Sequence, residues 1–291
     1  RLLVNIPAEV FTADDGLGWV YQFWQTERKK EVNESGNKIG AKELPAVTQL
    51  FTEPYMVQFL LHNTLGAWWA GKSLTASPEL ALEAHGEDEL RRAYALPGYE
   101  WTYLRFIREE EGGSCRPAAG RLPDWPRRAV ELKVLDPCCG SGHFLVEVFR
   151  ILVTMRMVEE DLTAREACDA VLRENLFGLE LDERCTQIAA FNLALAAWTY
   201  PDAGGYRPLP EPNIACSGLS VGAKEEDWLR LAGRDRRLRA GMRRLYRLFK
   251  DAPTLGSLID PRREEADLVT AGFRELQPLL AEALEREDVK R

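Results

Sequence analysis

Apolar and polar positions divide this chain into a helical first part and an alternating second part. The stretches "GLGWVYQFWQTERKKEV" and "LPAVTQLFTEPYMVQFLLHNTLGAWWAG" are rich in aliphatic and aromatic residues and read as helices. The charged, glycine-containing residues 27–42 between them read as a loop. In the second stretch Val57, Leu60, Leu61 and Leu65 recur at helical spacing. Thr52 is predicted as its N-cap, with Glu53 and Pro54 in the first turn, where an acid meets the helix dipole and a missing N–H costs little. Residues 73–108 are mixed and helical in part. The glycines and prolines of 109–128 mark a loop. A boundary is expected there, with a helical region over 1–125, including a helix over 48–65, and a second region over 126–291.

The second region alternates. "AVELKVLD" is predicted as a strand and "HFLVEVFRILVTMRMV" as a helix. "TAREACDAVLREN" is a helix opened by Thr163 and Glu166 as a capping box. "LFGLELD" is a strand, "ERCTQIAAFNLALAAWTY" a helix and "PNIACSGLS" a short strand with its exit loop. Such alternation predicts an α/β fold with a parallel sheet and helices on both faces, where ligands bind beyond the carboxyl ends of the strands. Asp136, Glu180 and Ser217 fall at those ends.

Composition narrows the chemistry. The 291 residues, 45% of them hydrophobic, suit a globular protein with a substantial core, and the net charge of -8 disfavours non-specific nucleic-acid binding by the chain as a whole. No apolar run approaches the roughly 18 residues of a membrane span. The chain opens at Arg1 with neither an initiator Met nor a leader, which suggests a fragment or a processed chain. The six cysteines lack zinc-knuckle spacing and only three histidines accompany them, so reduced cytoplasmic thiols are expected, with no metal site and no disulfide framework.

The stretch "VLDPCCGSGHFL" carries the strongest chemical signal. Asp136 stands at a strand tip and Pro137 stiffens the exit. Cys138, Cys139, Gly140, Ser141 and Gly142 are small enough for a ligand to press against main chain. A dinucleotide fingerprint would need a third glycine where Leu145 stands, and no Walker lysine follows. A leading carboxylate suits a ligand with an amino group and a sulfonium, as S-adenosyl-L-methionine has. Glu180 at the next strand tip could accept from both ribose hydroxyls.

These residues resemble the Asp-Pro-x-Cys-Gly-Ser-Gly-x-Phe-Leu motif of DNA adenine-N6 methyltransferases. "LFGLELDERCTQIAAFNLAL" is similar to their second motif and "TQLFTEPYMVQFLL" to the helix that precedes the first motif in the motif-X-first class. The aromatic "GLGWVYQFW" segment looks most like the large methyltransferases of BREX phage-defence systems and of fused restriction–modification enzymes. The resemblance implies a Rossmann-like S-adenosylmethionine-dependent fold, present in part, with an N-terminal helical region. It implies that Thr52 contacts the methionine end of the cofactor and that Asp136 binds its amino group directly or through water. Pro137, Cys138, Cys139, Gly140 and Gly142 would line the same end, Glu180 would hold the ribose, and Leu181 would belong to the same site. The contact to the cofactor's adenine falls on Ser217, or on Cys216 if the alignment slips by one. The cysteines are then chosen for small size rather than for redox work.

One element of the resemblance is missing. No Pro-Pro pair occurs, so the Asn/Asp-Pro-Pro-aromatic motif that holds the flipped adenine is expected beyond Arg291, and the fragment alone is expected to bind cofactor without turning over. The intact parent would act on double-stranded DNA, with defence-system subunits as further partners and no membrane. Rival readings are a non-catalytic assembly module, an RNA or protein methyltransferase, and a nicotinamide-dependent enzyme. The arginine-dense 228–250 reads as one amphipathic helix with a solvated basic face, and Trp19, Tyr21, Phe23, Trp24, Trp68 and Trp69 as packing between the helical region and the sheet. His143 reads as a polar helix-start residue, and Cys168 and Cys185 as core.

Overall fold

The structure is a computed structural model and describes residues 16–37, 39, 43, 46–47, 52–76, 78–108, 113–120, 122, 124–217, 224–233 and 235–250. Helix α1 spans Gly16–Glu34, running through part of the predicted loop. The second helical stretch opens with α2, Pro54–Leu61, and passes through a widened π-helical turn, His62–Gly66, into α3, Ala67–Ala76. Residues 48–51 of the predicted 48–65 helix lie outside the described residues. The N-cap is Glu53, not Thr52. The residue before a proline is pushed out of the α region, and Glu53 is accordingly extended (φ -57°, ψ 139°), so the helix cannot begin before Pro54.

Short helices α4, Pro78–Glu83, and α5, Glu87–Ala93, follow. Strands β1, Phe106–Arg108, and β2, Cys115–Pro117, form an antiparallel pair, so the segment read as a loop holds a strand. The predicted strand at 129–136 is shorter in the structure. A 3₁₀ turn occupies Ala129–Glu131 and β3 covers only Val134–Asp136. Then come α6, His143–Glu160; α7, Ala164–Glu174; β4, Leu176–Glu180; α8, Glu183–Thr199; and β5, Asn213–Cys216. The capping box of α7 forms as expected, with Thr163 Oγ accepting from Glu166 N and the Glu166 carboxylate accepting from Thr163 N. The Thr163 hydroxyl first, and then the Thr163 N–H, both donating to the Glu166 carboxylate, hold that carboxyl below its ordinary range.

Strands β3, β4 and β5 form a parallel sheet with β4 in the middle, Asp136 opposite Gly178 and Glu180 opposite Cys216. Period-2 alternation puts Asp136, Gly178, Glu180, Ile214 and Cys216 on one face, where Leu145 of α6 lies against Gly178. Helices α6 and α8 pack there. The described residues do not supply the helical cover expected on the opposite face. Among the described residues Leu135 is 56% exposed, and Asn213 and Ala215 are exposed as well.

Helix α6 is buried nearly all round, between the sheet, α2, α7 and α8. Its two buried charges are paired. Arg156 meets Glu160 at 2.8 Å and Glu174 at 2.7 Å, and Glu147 accepts from Tyr99 Oη at 2.6 Å. The hydrophobic core runs without a break from Val57 through α6 to Ala203. Trp68 is buried in it, and its indole N–H donates to Pro126 O at 2.8 Å.

The arginine-rich stretch is two helices rather than one, α9 at Glu225–Leu231 and α10 at Arg236–Phe249. Gly233 at φ +54° ends the first by taking the left-handed conformation that glycine tolerates. Leu229, Met242 and Leu245 form a small separate cluster. Among the described residues no helix is long and apolar enough to cross a membrane.

Candidate functional site

The site is built by the turn between β3 and α6 and the turn between β4 and α8. Parallel pairing carries the tips of both strands to the same end of the sheet, so both turns meet there. The first turn is fixed by main chain. Cys139 N donates to Leu179 O at 2.9 Å and Gly142 N to Cys139 O at 2.7 Å. Asn192 of α8 donates from Nδ2 to Ser141 O at 2.9 Å.

Its glycines have different reasons. Gly142 has φ +83°, and a Cβ there would lie 3.0 Å from both Cα and Cβ of Ala189, so it lets the loop rest on α8. Gly140 has φ +53°, and a Cβ there would meet nothing within 4 Å. Among the described residues, then, open space lies against the main chain at Gly140.

The two acids flank that space. Asp136 Oδ1 accepts from Cys138 N at 3.1 Å. Its carboxyl is raised above the ordinary range by burial, with the charge of Glu180 adding to the rise and the Cys138 N–H opposing it. Glu180 Oε1 accepts from Leu181 N at 2.7 Å and Asp182 N at 2.9 Å, while Oε2 accepts from Gly140 N at 2.8 Å. With two acceptor sites on each oxygen, Oε1 is filled and Oε2 keeps one. Two acids whose charges act on one another favour a cation or a hydrogen-bond donor between them.

The cysteines differ. Cys138 and Pro137 are exposed. Cys139 is buried, and burial first, then the charges of Asp136 and Glu180, push its thiol up to about 12. A reactive thiolate needs an electropositive surrounding, the opposite of this one. Cys168 and Cys185 are buried, and all six cysteines are free thiols.

The structure thus brings together Asp136, Pro137, Cys138, Cys139, Gly140, Gly142, Glu180 and Leu181. Ser217 joins them at the end of β5, where its N and Oγ donate to Glu180 O at 2.8 and 3.3 Å. Cys216 instead turns its thiol to Leu181 O at 3.6 Å. Thr52 is half-buried ahead of α2, and α2 packs on α6. His143 is half-buried at the start of α6.

Three residues escaped the sequence reading. Gly178 leaves room for Leu145 and Cys139, whose nearest atoms would lie 3.0 and 3.2 Å from a Cβ, and a glycine inside a strand is a signal of such close approach. Asp182 caps α8 by accepting from Arg184 N at 2.9 Å, and an Asp before a helical run is a readable cap. Asn192 carries no local signal at all.

Residues 115–203 match the family model described as MmeI, DNA-methyltransferase domain. That span contains β3, the loop, α6, α7, β4 and α8, hence both acids. The chain resembles adenine-specific methyltransferases. It is 31% identical over 196 residues to the adenine-specific methyltransferase BrxX of Escherichia coli O9:H4 (strain HS), covering 67% of this chain and 14% of that protein. It is 30% identical over 199 residues to the adenine-specific methyltransferase PglX of Lacticaseibacillus casei (strain Zhang), covering 67% of this chain and 15% of that protein. A putative type II restriction enzyme and methyltransferase of Methanocaldococcus jannaschii is 26% identical over 113 residues, 35% of this chain and 10% of that protein. The chain therefore spans about a seventh of the length of the first two methyltransferase relatives. Thr52 and Ser217 lie outside the matched methyltransferase-domain segment.

Proposed function

We propose that this chain is the cofactor-binding part of a DNA adenine-N6 methyltransferase, with a Rossmann-like fold over 126–291 and an N-terminal helical region over 1–125. The observation that carries the reading is the pair of acids, Asp136 and Glu180, at neighbouring strand tips on either side of open main chain at Gly140. The chemistry fits S-adenosylmethionine. Asp136 would take the amino group and Glu180 Oε2 a ribose hydroxyl. Leu181 would offer apolar contact and Ser217 Oγ, which keeps acceptor capacity, the adenine amino group. Thr52 would act at the methionine end. When bound, the cofactor would supply an electrophilic methyl group for transfer to N6 of adenine.

Duplex DNA would be the substrate of the whole protein, in a phage-defence or restriction–modification setting with further subunits as partners. In support stand the match to a DNA-methyltransferase domain and relatives described as adenine-specific methyltransferases and as a putative type II restriction enzyme and methyltransferase. A cytoplasmic setting agrees with six free thiols. Asp136→Ala and Glu180→Ala are each expected to weaken S-adenosylmethionine binding tenfold or more, at least about 1.4 kcal/mol. Calorimetric titration of the chain measures this, and unchanged affinity in both variants refutes the site. Transfer of a labelled methyl group from S-adenosylmethionine to duplex DNA by the parent protein tests the activity.

A further inference from the structure

Helix α1 reaches the site from 161 residues away in sequence. Tyr21 is only 6% exposed, and its hydroxyl donates to Asp182 Oδ2 at 2.6 Å while accepting from Gln25 Nε2 at 2.8 Å. The Arg184 guanidinium lies 5.8 Å from the centre of the Tyr21 ring. Asp182 is engaged on every side. Oδ2 is held by Tyr21, Oδ1 caps α8 through Arg184 N, and its own N–H donates to Glu180 Oε1. The neighbours of Tyr21 on α1 do not share its burial, with Phe23 76% and Trp24 72% exposed. The expectation that these aromatics all pack inward therefore fails for Phe23 and Trp24, and for Trp19 at 42% exposed, whereas Tyr21 makes a buried polar contact to the site.

We propose that Tyr21 is a positioning residue for cofactor binding. Its hydroxyl fixes Asp182 and so the turn whose N–H groups aim the Glu180 carboxylate at the ribose. This rests on the reading of Glu180 as the ribose-binding acid. The chain of contacts is continuous: Gln25 to Tyr21, Tyr21 to Asp182, Asp182 to Glu180, and Gly140 to the other oxygen of Glu180. A hydrogen bond to a charged acceptor is stronger than a neutral one, and this one is shielded from solvent. Burial, with Asp182 beside it, raises the Tyr21 phenol above its ordinary range, so it stays a donor at physiological pH.

The test is calorimetric titration of the chain with S-adenosylhomocysteine and with its 2′,3′-dideoxy analogue, which lacks the ribose hydroxyls. Tyr21→Phe is expected to weaken the first by about five- to tenfold and the second by less than twofold. Asp182→Asn, which keeps the helix cap but cannot accept the phenol proton as a carboxylate does, should show the same ribose-dependent loss. Equal losses on both ligands would mean a merely structural role and overturn the inference. Full affinity in both variants, alongside weakened binding in Glu180→Gln, would overturn it while leaving the cofactor site standing. Full affinity in Glu180→Gln would remove the site reading and this inference with it.

Discussion

Two glycines two positions apart separate what the loop needs for folding from what it needs for a ligand. Both have positive φ, +53° at Gly140 and +83° at Gly142. Gly140→Ala adds a methyl group to open space, so its cost is the left-handed backbone alone, about 1 kcal/mol. Gly142→Ala adds the same strain and drives the methyl into Ala189, for about 2–3 kcal/mol in all. Binding should report the reverse order of interest. If the cofactor lies against main chain, Gly140→Ala weakens S-adenosylmethionine binding tenfold or more while its stability falls by only about 1 kcal/mol. Chemical denaturation and titration of the two variants check this, and a Gly140→Ala chain with unaltered affinity would put the ligand elsewhere. Cys139 belongs to the same logic, since a small buried side chain beside Gly178 lets the loop close on the sheet.

At the scale of elements, one side chain stitches four of them. Asn175, fully buried between α7 and β4, donates from Nδ2 to Ala129 O at 2.9 Å and Leu132 O at 2.7 Å, and accepts from Arg156 Nη1 at 3.2 Å. Its carbonyl accepts from Val134 N at 2.8 Å where β3 begins. Asn175→Ala would take this donor from Leu132 O, leave Ala129 O with Leu132 N alone and remove one acceptor from the Arg156 guanidinium, costing about 2–4 kcal/mol, and urea denaturation would read it. A loss under 0.5 kcal/mol would show that water or repacking substitutes. The sequence could not announce this role, because an Asn at a helix end reads as an ordinary cap and its two carbonyl partners lie more than forty residues upstream. The same limit explains the other surprises. Strand–helix order, the α7 capping box and the small-residue loop were legible, because each rests on local spacing. The β1–β2 pair was missed because it depends on a partner across a gap. The open sheet face, the Tyr21 contact and the break at Gly233 depend on what packs from outside the segment, or on one residue's backbone. Of the candidate site, the residues from Asp136 to Leu181 could be read in place, whereas the Thr52 cap could not, because Pro54 decides it.

The whole molecule is joined across its first and second parts by a buried polar contact whose pH response follows from its geometry. His62 is buried in the widened turn after α2. Its Nδ1 accepts from Tyr103 N at 3.0 Å, so the ring proton sits on Nε2 and faces Tyr99 Oη at 3.0 Å. Tyr99 in turn donates to Glu147 of α6, which also meets Arg150 at 3.3 Å. A second ring proton would have to displace the Tyr103 N–H. Burial, with the positive charge of Arg91 adding to it, pushes the His62 pKa down to about 4 from an ordinary 6.5. Between these two values the unfolded chain binds a proton that the folded chain refuses, so stability falls as pH falls through that window. By about pH 7.5 almost nothing is lost, and at pH 5 the loss is about 2 kcal/mol, or roughly 4–8 °C in Tm for a chain of this size. Asp136 works in the opposite direction, since a carboxyl raised by folding stabilises the folded chain as pH falls. The decisive measurement is therefore a difference. Thermal melts of the unaltered chain and of His62→Gln at pH 7.5 and 5.0 should show the steeper loss only where the imidazole is present. Parallel curves would mean that His62 takes up its proton in the folded state, with the Tyr103–His62–Tyr99–Glu147 link opening to admit it.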